Sequence, residues 1–351
     1  ICEPGGGVLV GDTVYKLKFH VKDDRSDINA HVAYVTELVR DVGIKFCMCG
    51  APHDFAIASS KVTQPAGVMH FSGSSTLEEL LTPDAVQPGG DTHYLFQTET
   101  REYQRSGSVA KGAIDLIDPN SKVSVILMAN DATGQFLGSY LKRALEANDQ
   151  TVPDIIYWDH DTTDFTPLFT RAKKFNPDII HFWYDANKAI AALPQGLEID
   201  AANSGYFLFG IDPGDYAANP VDTDMPIGMA CVPMCWGASS RVEAEEYWKR
   251  YQAVGNELRA LSSVSLLTYD DYYMLFRAWK EAGTVEDTDL IVPKMLNRPW
   301  KGVIGDEFTY DYRHIVSHGT EVCVKKPDGF TCQFTPFPTE APPGTPKLGL
   351  E

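Results

Sequence analysis

Long hydrophobic runs and clusters of basic residues are both missing from this sequence. Its longest apolar stretches, such as residues 123–129 and 179–184, are far shorter than the roughly 20 residues that a membrane-crossing helix needs. Lysine and arginine total 30 against 48 aspartates and glutamates, which gives a net charge of −18. Binding to phosphate backbones requires clustered positive charge. The sequence therefore predicts a soluble protein with no nucleic acid partner.

Sequence motifs of common enzyme and cofactor sites are absent as well. The chain contains no glycine-rich phosphate loop, G-x-S-x-G elbow, H-E-x-x-H helix or EF-hand pattern. The serine-rich stretch 72–76 has no base beside it in sequence, which is typical of a polar loop rather than of a nucleophile site. We therefore predict that the protein is not an enzyme and holds neither a cofactor nor a metal.

Cysteine is scarce, with seven residues in 351, but one pair is well spaced. A turn centred on Pro327 and Asp328 places Cys323 opposite Cys332 in a β-hairpin. This register predicts a disulfide and an oxidising compartment, with two unpaired core cysteines as the alternative. Two further pairs, Cys47 with Cys49 and Cys231 with Cys235, could bind zinc, but neither has the usual spacing of two intervening residues. The pairing of the other five stays open: Cys2, Cys47, Cys49, Cys231 and Cys235.

Hydrophobic periodicity alternates between strand and helix along most of the chain. A chain of 351 residues exceeds the size at which single cores stop growing, about 250–300 residues. The fold class is therefore α/β, with two doubly wound, Rossmann-like lobes that each hold a parallel sheet covered by helices. Residues 14–21 alternate apolar and polar side chains, which predicts an edge strand. The other strand patterns lie at 44–48, 68–71, 122–129, 154–158, 179–184 and 206–209.

Seven short phrases stand out in order along this chain. They are Lys22–Ser26, Cys49–Pro52, Val68–Thr76, Asn130–Gly134, Thr163–Leu168, Asn176–Ile180 and Tyr269–Tyr272. Together with the order of elements, they resemble the type I periplasmic solute-binding proteins of branched-chain amino acid and amide ABC transporters. The resemblance covers most of the chain. It implies two lobes joined by a three-crossing hinge, a small-molecule ligand in the cleft between them, and a membrane permease as partner.

The resemblance also implies domain boundaries and a cellular location. Lobe 1 is expected at residues 1–98 and 238–305, lobe 2 at 99–237 and 306–340, and an extended tail at 341–351. The expected location is periplasmic or extracellular. In one departure, residues 1–10 resemble the turn that follows the family's first helix. We therefore expect the natural chain to extend upstream through a first strand and helix, with any export signal or lipid anchor there.

Candidate ligand-binding residues of lobe 1 follow two of the predicted strands. His53 and Asp54 come after the strand at 44–48, where the family places a loop that contacts ligand; a surface-loop histidine is the alternative. Ser74, Ser75 and Thr76 match the family segment that holds the ligand's carboxylate or amide. Helix capping is their competing role, and it is compatible with binding because a helix N-terminus attracts anions.

Candidate residues of lobe 2 lie after the second run of strands. Thr133 stands where relatives often carry an aromatic residue over the ligand, or simply forms a turn. Trp183, Tyr184 and Asp185 end a strand at the expected cleft edge, where rings could stack on the ligand; core packing explains Trp183 equally well. Asp212 matches an acidic residue that pairs with a ligand ammonium group, or else forms a turn with its neighbours.

Hydroxyl groups on lobe 1 facing an acidic residue on lobe 2 suit a zwitterion. The expected ligand is therefore an amino acid, a related amide or an aromatic acid.

Phe96 and Trp236 lie near predicted crossings and either line the cleft or pack the hinge. A ligand-sensing domain of a signalling protein with the same fold is the main alternative function. A hydrolase is a third, and it would need a nucleophile or metal constellation.

Overall fold

The computed structural model describes most of the chain as two compact units. The described residues are 6–50, 53–73, 76–183, 186–218, 220–231, 234–235, 238–239, 241–254, 264–303 and 307–335. Unit 1 contains Ile1–Arg101 and Val264–Ser317, and unit 2 contains Glu102–Ser263 and His318–Pro346. The predicted tail at 341–351 lies outside the described residues.

Ten α-helices are present in the described part of the chain. They are α1 (Ile28–Glu37), α2 (His53–Thr63), α3 (Glu102–Ile117), α4 (Ala132–Ala147), α5 (Thr166–Lys173), α6 (Ala186–Glu198), α7 (Pro213–Ala218), α8 (Val242–Val254), α9 (Val264–Ala282) and α10 (Thr288–Met295). A π-helical turn, Leu38–Val42, continues α1 and ends at Gly43 with φ 76°, as expected for a glycine stop signal. Among these helices, none is both long and apolar enough to cross a membrane.

Fourteen strands are present in the same described residues. They are β1 (Val8–Val10), β2 (Thr13–Tyr15), β3 (Phe46–Met48), β4 (Met69–Phe71), β5 (Leu95–Phe96), β6 (Ser124–Ala129), β7 (Ile155–Trp158), β8 (Ile179–Trp183), β9 (Gly205–Phe209), β10 (Ile227–Cys231), β11 (Trp300–Lys301), β12 (Glu307–Phe308), β13 (Thr320–Lys326) and β14 (Gly329–Thr335). The predicted strand positions after residue 40 are confirmed to within a few residues at each end.

Unit 2 is built on a seven-stranded sheet in the order β14-β13-β10-β9-β8-β6-β7. The five strands from β10 to β7 pair in parallel, while β13 and β14 add to the edge in antiparallel pairs. Residues of β6 alternate between two cores. Val125 and Leu127 pack with α5 and α6, whereas Ile126 and Met128 pack with α3 and α4. Helices therefore cover both faces, which confirms the predicted doubly wound architecture.

Unit 1 contains a smaller parallel sheet, in the order β3-β4-β5. The predicted edge strand at residues 14–21 is shorter than expected: only β2 forms, and it pairs with β1 in a separate hairpin. Residues 16–22 have no ladder partner in the described part of the chain. Their apolar side chains are correspondingly exposed, with Leu17 at 39%, Phe19 at 61% and Val21 at 88%. An alternating pattern forms a strand only where a neighbouring strand supplies hydrogen bonds.

Helix α8 belongs to unit 2, whereas α9 and α10 belong to unit 1. The lobe boundaries expected from the sequence stay a prediction. The chain just before α8 is held by β14, since Cys332 Sγ contacts the Ala238 carbonyl oxygen at 2.9 Å and the Arg241 guanidinium lies 4.6 Å from the Phe334 ring. Residues 307–317 belong instead to unit 1, where Tyr310 donates to Asp271 at 2.6 Å. Contacts between distant residues therefore set these boundaries.

The predicted disulfide is confirmed. Cys323 lies opposite Cys332 in the β13–β14 hairpin, and the two are joined. Cys231 is joined to Cys235, and Cys47 to Cys49. Because these four thiols are paired with one another, they do not provide the thiolates that the zinc alternative needs.

Candidate functional site

The carboxyl ends of β3 and β4 carry the candidate residues of unit 1. Ligands of doubly wound folds bind beyond such strand ends. His53 and Asp54 begin α2, and Thr76 follows β4. Gly50, in the turn after β3, has φ +76°, and a Cβ there would lie 2.5 Å from the backbone of Ala56. Glycine therefore allows β3 and α2 to approach closely.

His53 connects the start of α2 to the segment after β4. Its Nδ1 lies 2.6 Å from the Thr76 carbonyl oxygen and its Nε2 lies 3.0 Å from Glu79 Oε1. Both neighbours accept hydrogen bonds, so the doubly protonated ring satisfies both at once. Burial lowers the pKa of His53, but the hydrogen bond and charge of Glu79 and the Thr76 carbonyl outweigh it, and the pKa is raised. His53 thus fixes the position of Thr76.

This arrangement predicts a pH-dependent stability. Because the folded-state pKa of His53 is raised above 6.5, its ion pair stabilises the fold fully below about pH 6.5 and is lost as the pH rises through the folded-state pKa. We expect the difference in Tm between the wild type and His53→Gln to be largest near pH 6 and to narrow toward about pH 9. Thermal denaturation across this range measures it. In a Glu79→Gln background the difference should lose most of its pH dependence, and a pH-independent gap in the wild-type background contradicts the interpretation.

Sequence reasoning missed Gln97, a fully buried side chain directly after β5. Its Oε1 accepts from the Leu77 backbone N–H at 2.6 Å, and its Nε2 donates to the Glu99 carbonyl oxygen at 2.9 Å. Thr98 donates from Oγ1 to the Gly73 carbonyl oxygen at 2.8 Å. The chain on both sides of residues 74–75 is therefore anchored to the carboxyl end of β5. Polar residues immediately after an apolar strand pattern were the available signal.

In unit 2, the turn from β6 into α4 presents Thr133. Asp131 caps the helix, since its Oδ1 accepts from the Gly134 backbone N–H at 2.6 Å, and it also pairs with His160 Nε2 at 2.8 Å. Thr133 is 5% exposed. A Cβ at residue 134 would lie 2.1 Å from the Ala129 carbonyl oxygen. The tight turn therefore depends on glycine and holds Thr133 beyond the end of β6.

Trp183 ends β8, which is the neighbour of β6 in the sheet. It is fully buried, and its ring lies 4.3 Å from that of Phe209 at the end of β9. The Arg105 guanidinium lies 5.0 Å from the centroid of the Phe209 ring, in a favourable cation–π arrangement. The buried Thr133 Oγ1 and Trp183 Nε1 have no hydrogen-bond partner within the described residues. Two aromatic rings and two unsatisfied polar atoms thus lie at or just beyond neighbouring strand ends, and a cation from α3 packs on one of the rings.

Arg105 forms an ion pair with Glu102 one helical turn away in α3, and both side chains are buried. Ser106 Oγ donates to Glu102 Oε1 at 2.5 Å. Burial raises the pKa of Glu102, while Arg105 and Ser106 lower it, and the net direction is upward. Sequence reasoning missed Arg105 because a cation inside an amphipathic helix gives no local sign of burial.

Asp212 follows β9 and precedes α7. Its backbone carbonyl accepts from the Tyr216 N–H at 3.0 Å, which is the first helical hydrogen bond of α7. The side chain is 6% exposed, and a carboxylate oxygen lies within 4.8 Å of the sulfur atoms of Cys231 and Cys235.

Four predicted site residues, Ser74, Ser75, Tyr184 and Asp185, lie outside the described residues, as does Trp236. Phe96 is buried and stacks on Phe71 and His314 in unit 1.

The sequence profile of the family described as periplasmic binding protein matches residues 3–324. This chain belongs to the periplasmic binding protein family. Members of this family are extracytoplasmic proteins that bind small molecules and work with ABC transporters. Family membership therefore indicates the general role, while the identity of the ligand has to be inferred from the site residues of this chain.

Solved structures similar to this periplasmic binding protein share its two-lobed, type I fold. The branched-chain amino acid binding protein LivJ of Streptococcus pneumoniae, in complex with isoleucine, is 17% identical with a TM-score of 0.77, covering 95% of this chain and 90% of that one. A solute-binding protein of R. palustris in complex with benzoate is 14% identical with a TM-score of 0.75, covering 94% and 89%. The leucine-binding protein LivK of Thermotoga maritima is 15% identical with a TM-score of 0.74, covering 92% and 88%.

Proposed function

We propose that this protein is the extracytoplasmic receptor of an ABC importer, which closes its two lobes on a small molecule and catalyses nothing. The ligand is an amino acid, a related amide or an aromatic acid. The family match supports the receptor role. Isoleucine and benzoate, bound by two of the similar structures, support the ligand classes. A membrane permease is the proposed partner that receives the closed form.

One observation carries the ligand-binding part of the proposal. Thr133 Oγ1 and Trp183 Nε1 are buried polar atoms at the ends of adjacent strands, without hydrogen-bond partners in the described residues. A buried polar group without a partner costs about 1–3 kcal/mol. A ligand that accepts or donates hydrogen bonds here recovers that energy, and a carboxylate or amide group does so.

The rings beside these atoms favour a ligand with an apolar body. Trp183 and Phe209 lie 4.3 Å apart between ring centroids, and aromatic side chains with a few polar groups are typical of small-molecule sites. The Arg105 guanidinium, paired with Glu102, packs on Phe209 and holds this ring in place. Leucine-like amino acids and benzoates both combine a carboxylate with an apolar body.

The proposal is tested by isothermal titration against leucine, isoleucine, benzoate, 4-hydroxybenzoate and simple amides. For the ligand that binds, we expect Trp183→Phe and Thr133→Val each to weaken affinity by about 10-fold, because each removes one hydrogen bond but keeps the side-chain shape.

The matched control is Trp158→Phe. Trp158 is also buried at a strand end with a partnerless Nε1 in the described residues, but it packs in the core on the other face of the sheet. We expect this variant to bind like the wild type. Unchanged affinity in both test variants contradicts the assigned site, and turnover of any ligand to product contradicts a purely binding function.

A further inference from the structure

Two disulfides of unit 2 lie side by side near the antiparallel edge of its sheet. Cys323 and Cys332 are joined across the β13–β14 hairpin, and Cys231, the last residue of β10, is joined to Cys235. The Sγ atoms of Cys235 and Cys323 lie within 4.8 Å of each other, although these two residues belong to different disulfides. A sulfur of one disulfide therefore lies next to a sulfur of the other.

Strand register brings these sulfur atoms together. Cys231 and Glu321 are directly opposite each other in the antiparallel pair of β10 and β13, and Cys323 lies two residues further along β13. Because opposite and alternate residues of paired strands share a face of the sheet, these three side chains project from the same face. The Cys235 N–H donates to Glu321 Oε2 at 2.8 Å, which holds Cys235 over that face.

The two disulfides differ in their access to solvent. Cys231 is 2% exposed, and Cys235 and Cys323 are fully buried. Cys332 lies on β14, the edge strand of the sheet, and is partly exposed. Thiol–disulfide exchange requires a thiolate to reach a disulfide sulfur. A reductant in solution therefore reaches Cys332 directly, whereas direct attack on the Cys231–Cys235 bond requires local opening of the fold.

We propose that the two disulfides form an exchange relay, through which a dithiol acting at Cys332 opens the buried Cys231–Cys235 bond. One thiolate of the dithiol attacks Cys332 Sγ, and Cys323 leaves as a thiolate. The Cys323 thiolate then attacks the adjacent Cys235 Sγ. A Cys235–Cys323 disulfide forms, and Cys231 is released.

The reaction balances with a dithiol as the reductant. Its second thiol attacks the mixed disulfide at Cys332, so the dithiol leaves as its own disulfide and Cys332 is released. The two protons of the dithiol end on the sulfur atoms of Cys231 and Cys332. Two electrons have entered the protein, which now holds two thiols and the single Cys235–Cys323 disulfide in place of two disulfides.

The exchange changes the covalent attachment of the chain that follows β10. Cys235 is tied to the end of its own strand before the exchange and to β13 after it. The released Cys231 sulfur lies within 4.8 Å of a carboxylate oxygen of Asp212, which is one of the residues predicted to contact ligand. Reduction at the edge of the sheet is thereby transmitted to a buried position beside a candidate binding residue.

Limited reduction of the protein with dithiothreitol, followed by alkylation with iodoacetamide, tests the proposal. In the species that carries two alkyl groups in unit 2, we expect tandem mass spectrometry to locate them on Cys231 and Cys332 and to detect a Cys235–Cys323 linkage. Alkyl groups on Cys323 and Cys332, with the Cys231–Cys235 bond intact, overturn the proposal, because the hairpin disulfide is then reduced without exchange.

The rate of Cys231 alkylation in dithiothreitol gives a second readout. In the double variant Cys323→Ala and Cys332→Ala the relay is absent, and we expect the rate to fall at least about 10-fold. Loss of a disulfide loosens the fold and so favours direct reduction, which means that destabilisation does not explain a slower rate. An equal or faster rate overturns the proposal.

Cys332→Ala alone leaves Cys323 as a thiol next to Cys235. We expect this variant to form the Cys235–Cys323 linkage, and to be alkylated at Cys231, without any reductant. Alkylation of Cys323 alone contradicts the exchange step. The Cys47–Cys49 disulfide of unit 1 is the internal control, and its rate of reduction should be the same in the wild type and in both variants.

Discussion

Gly134→Ala is expected to lower the free energy of unfolding by about 2–4 kcal/mol, at the upper end of overpacking costs. An added Cβ would lie 2.1 Å from the Ala129 carbonyl oxygen, and this atom belongs to the backbone of a central strand. The turn between β6 and α4 must therefore open. Ligand affinity should fall as well, since the same turn presents Thr133. Urea denaturation followed by circular dichroism measures the stability change.

Gly138→Ala is the matched control, one turn further along α4. Its added Cβ would meet side-chain atoms of Ile155 and Met128 at 3.5–3.6 Å, which is ordinary contact. Because alanine is favoured over glycine inside a helix, we expect a gain of about 0.5–1 kcal/mol. If the two variants have equal stabilities, the close approach at residue 134 is not what makes glycine necessary there.

Arg313→Met is expected to destabilise unit 1 by about 3–5 kcal/mol. Arg313 is 1% exposed, and it donates from Nε to the Leu81 carbonyl oxygen at 2.7 Å and from Nη2 to that of Glu78 at 2.9 Å. Methionine fills similar space but leaves both acceptors buried without a donor. The segment after Thr76 should loosen, and thermal denaturation together with exchange of the amides at 77–81 detects both effects.

Arg277→Met is the control for this second variant. Arg277 also donates to two backbone carbonyl oxygens, those of Pro299 at 2.8 Å and Arg298 at 2.9 Å. It is only half-buried, however, so water replaces its hydrogen bonds and we expect a cost of about 1 kcal/mol or less. Similar losses for the two variants would show that burial does not set the cost.

Part of the candidate site could be predicted from the sequence, because its residues directly follow strands that the hydrophobic pattern predicts. Thr133 and Trp183 were predicted at the ends of two strands, and β6 and β8 are indeed neighbours in the sheet. Their hydrogen-bonding state was not readable, since it depends on which side chains surround them. Arg105 and Gln97 were missed for the same reason. Each acts through residues far away in sequence or on another element.

Local sequence patterns alone predict the α/β class, the two doubly wound units, the order of elements and the Cys323–Cys332 hairpin. These follow from local periodicity and turn chemistry, which each short segment carries within itself. Three features come from the folded structure instead. Helix α8 belongs to unit 2, residues 16–22 remain unpaired within the described chain, and Thr133, Trp183 and Phe209 lie at or just beyond neighbouring strand ends. Those outcomes depend on long-range pairing and packing, whose partners no single segment specifies.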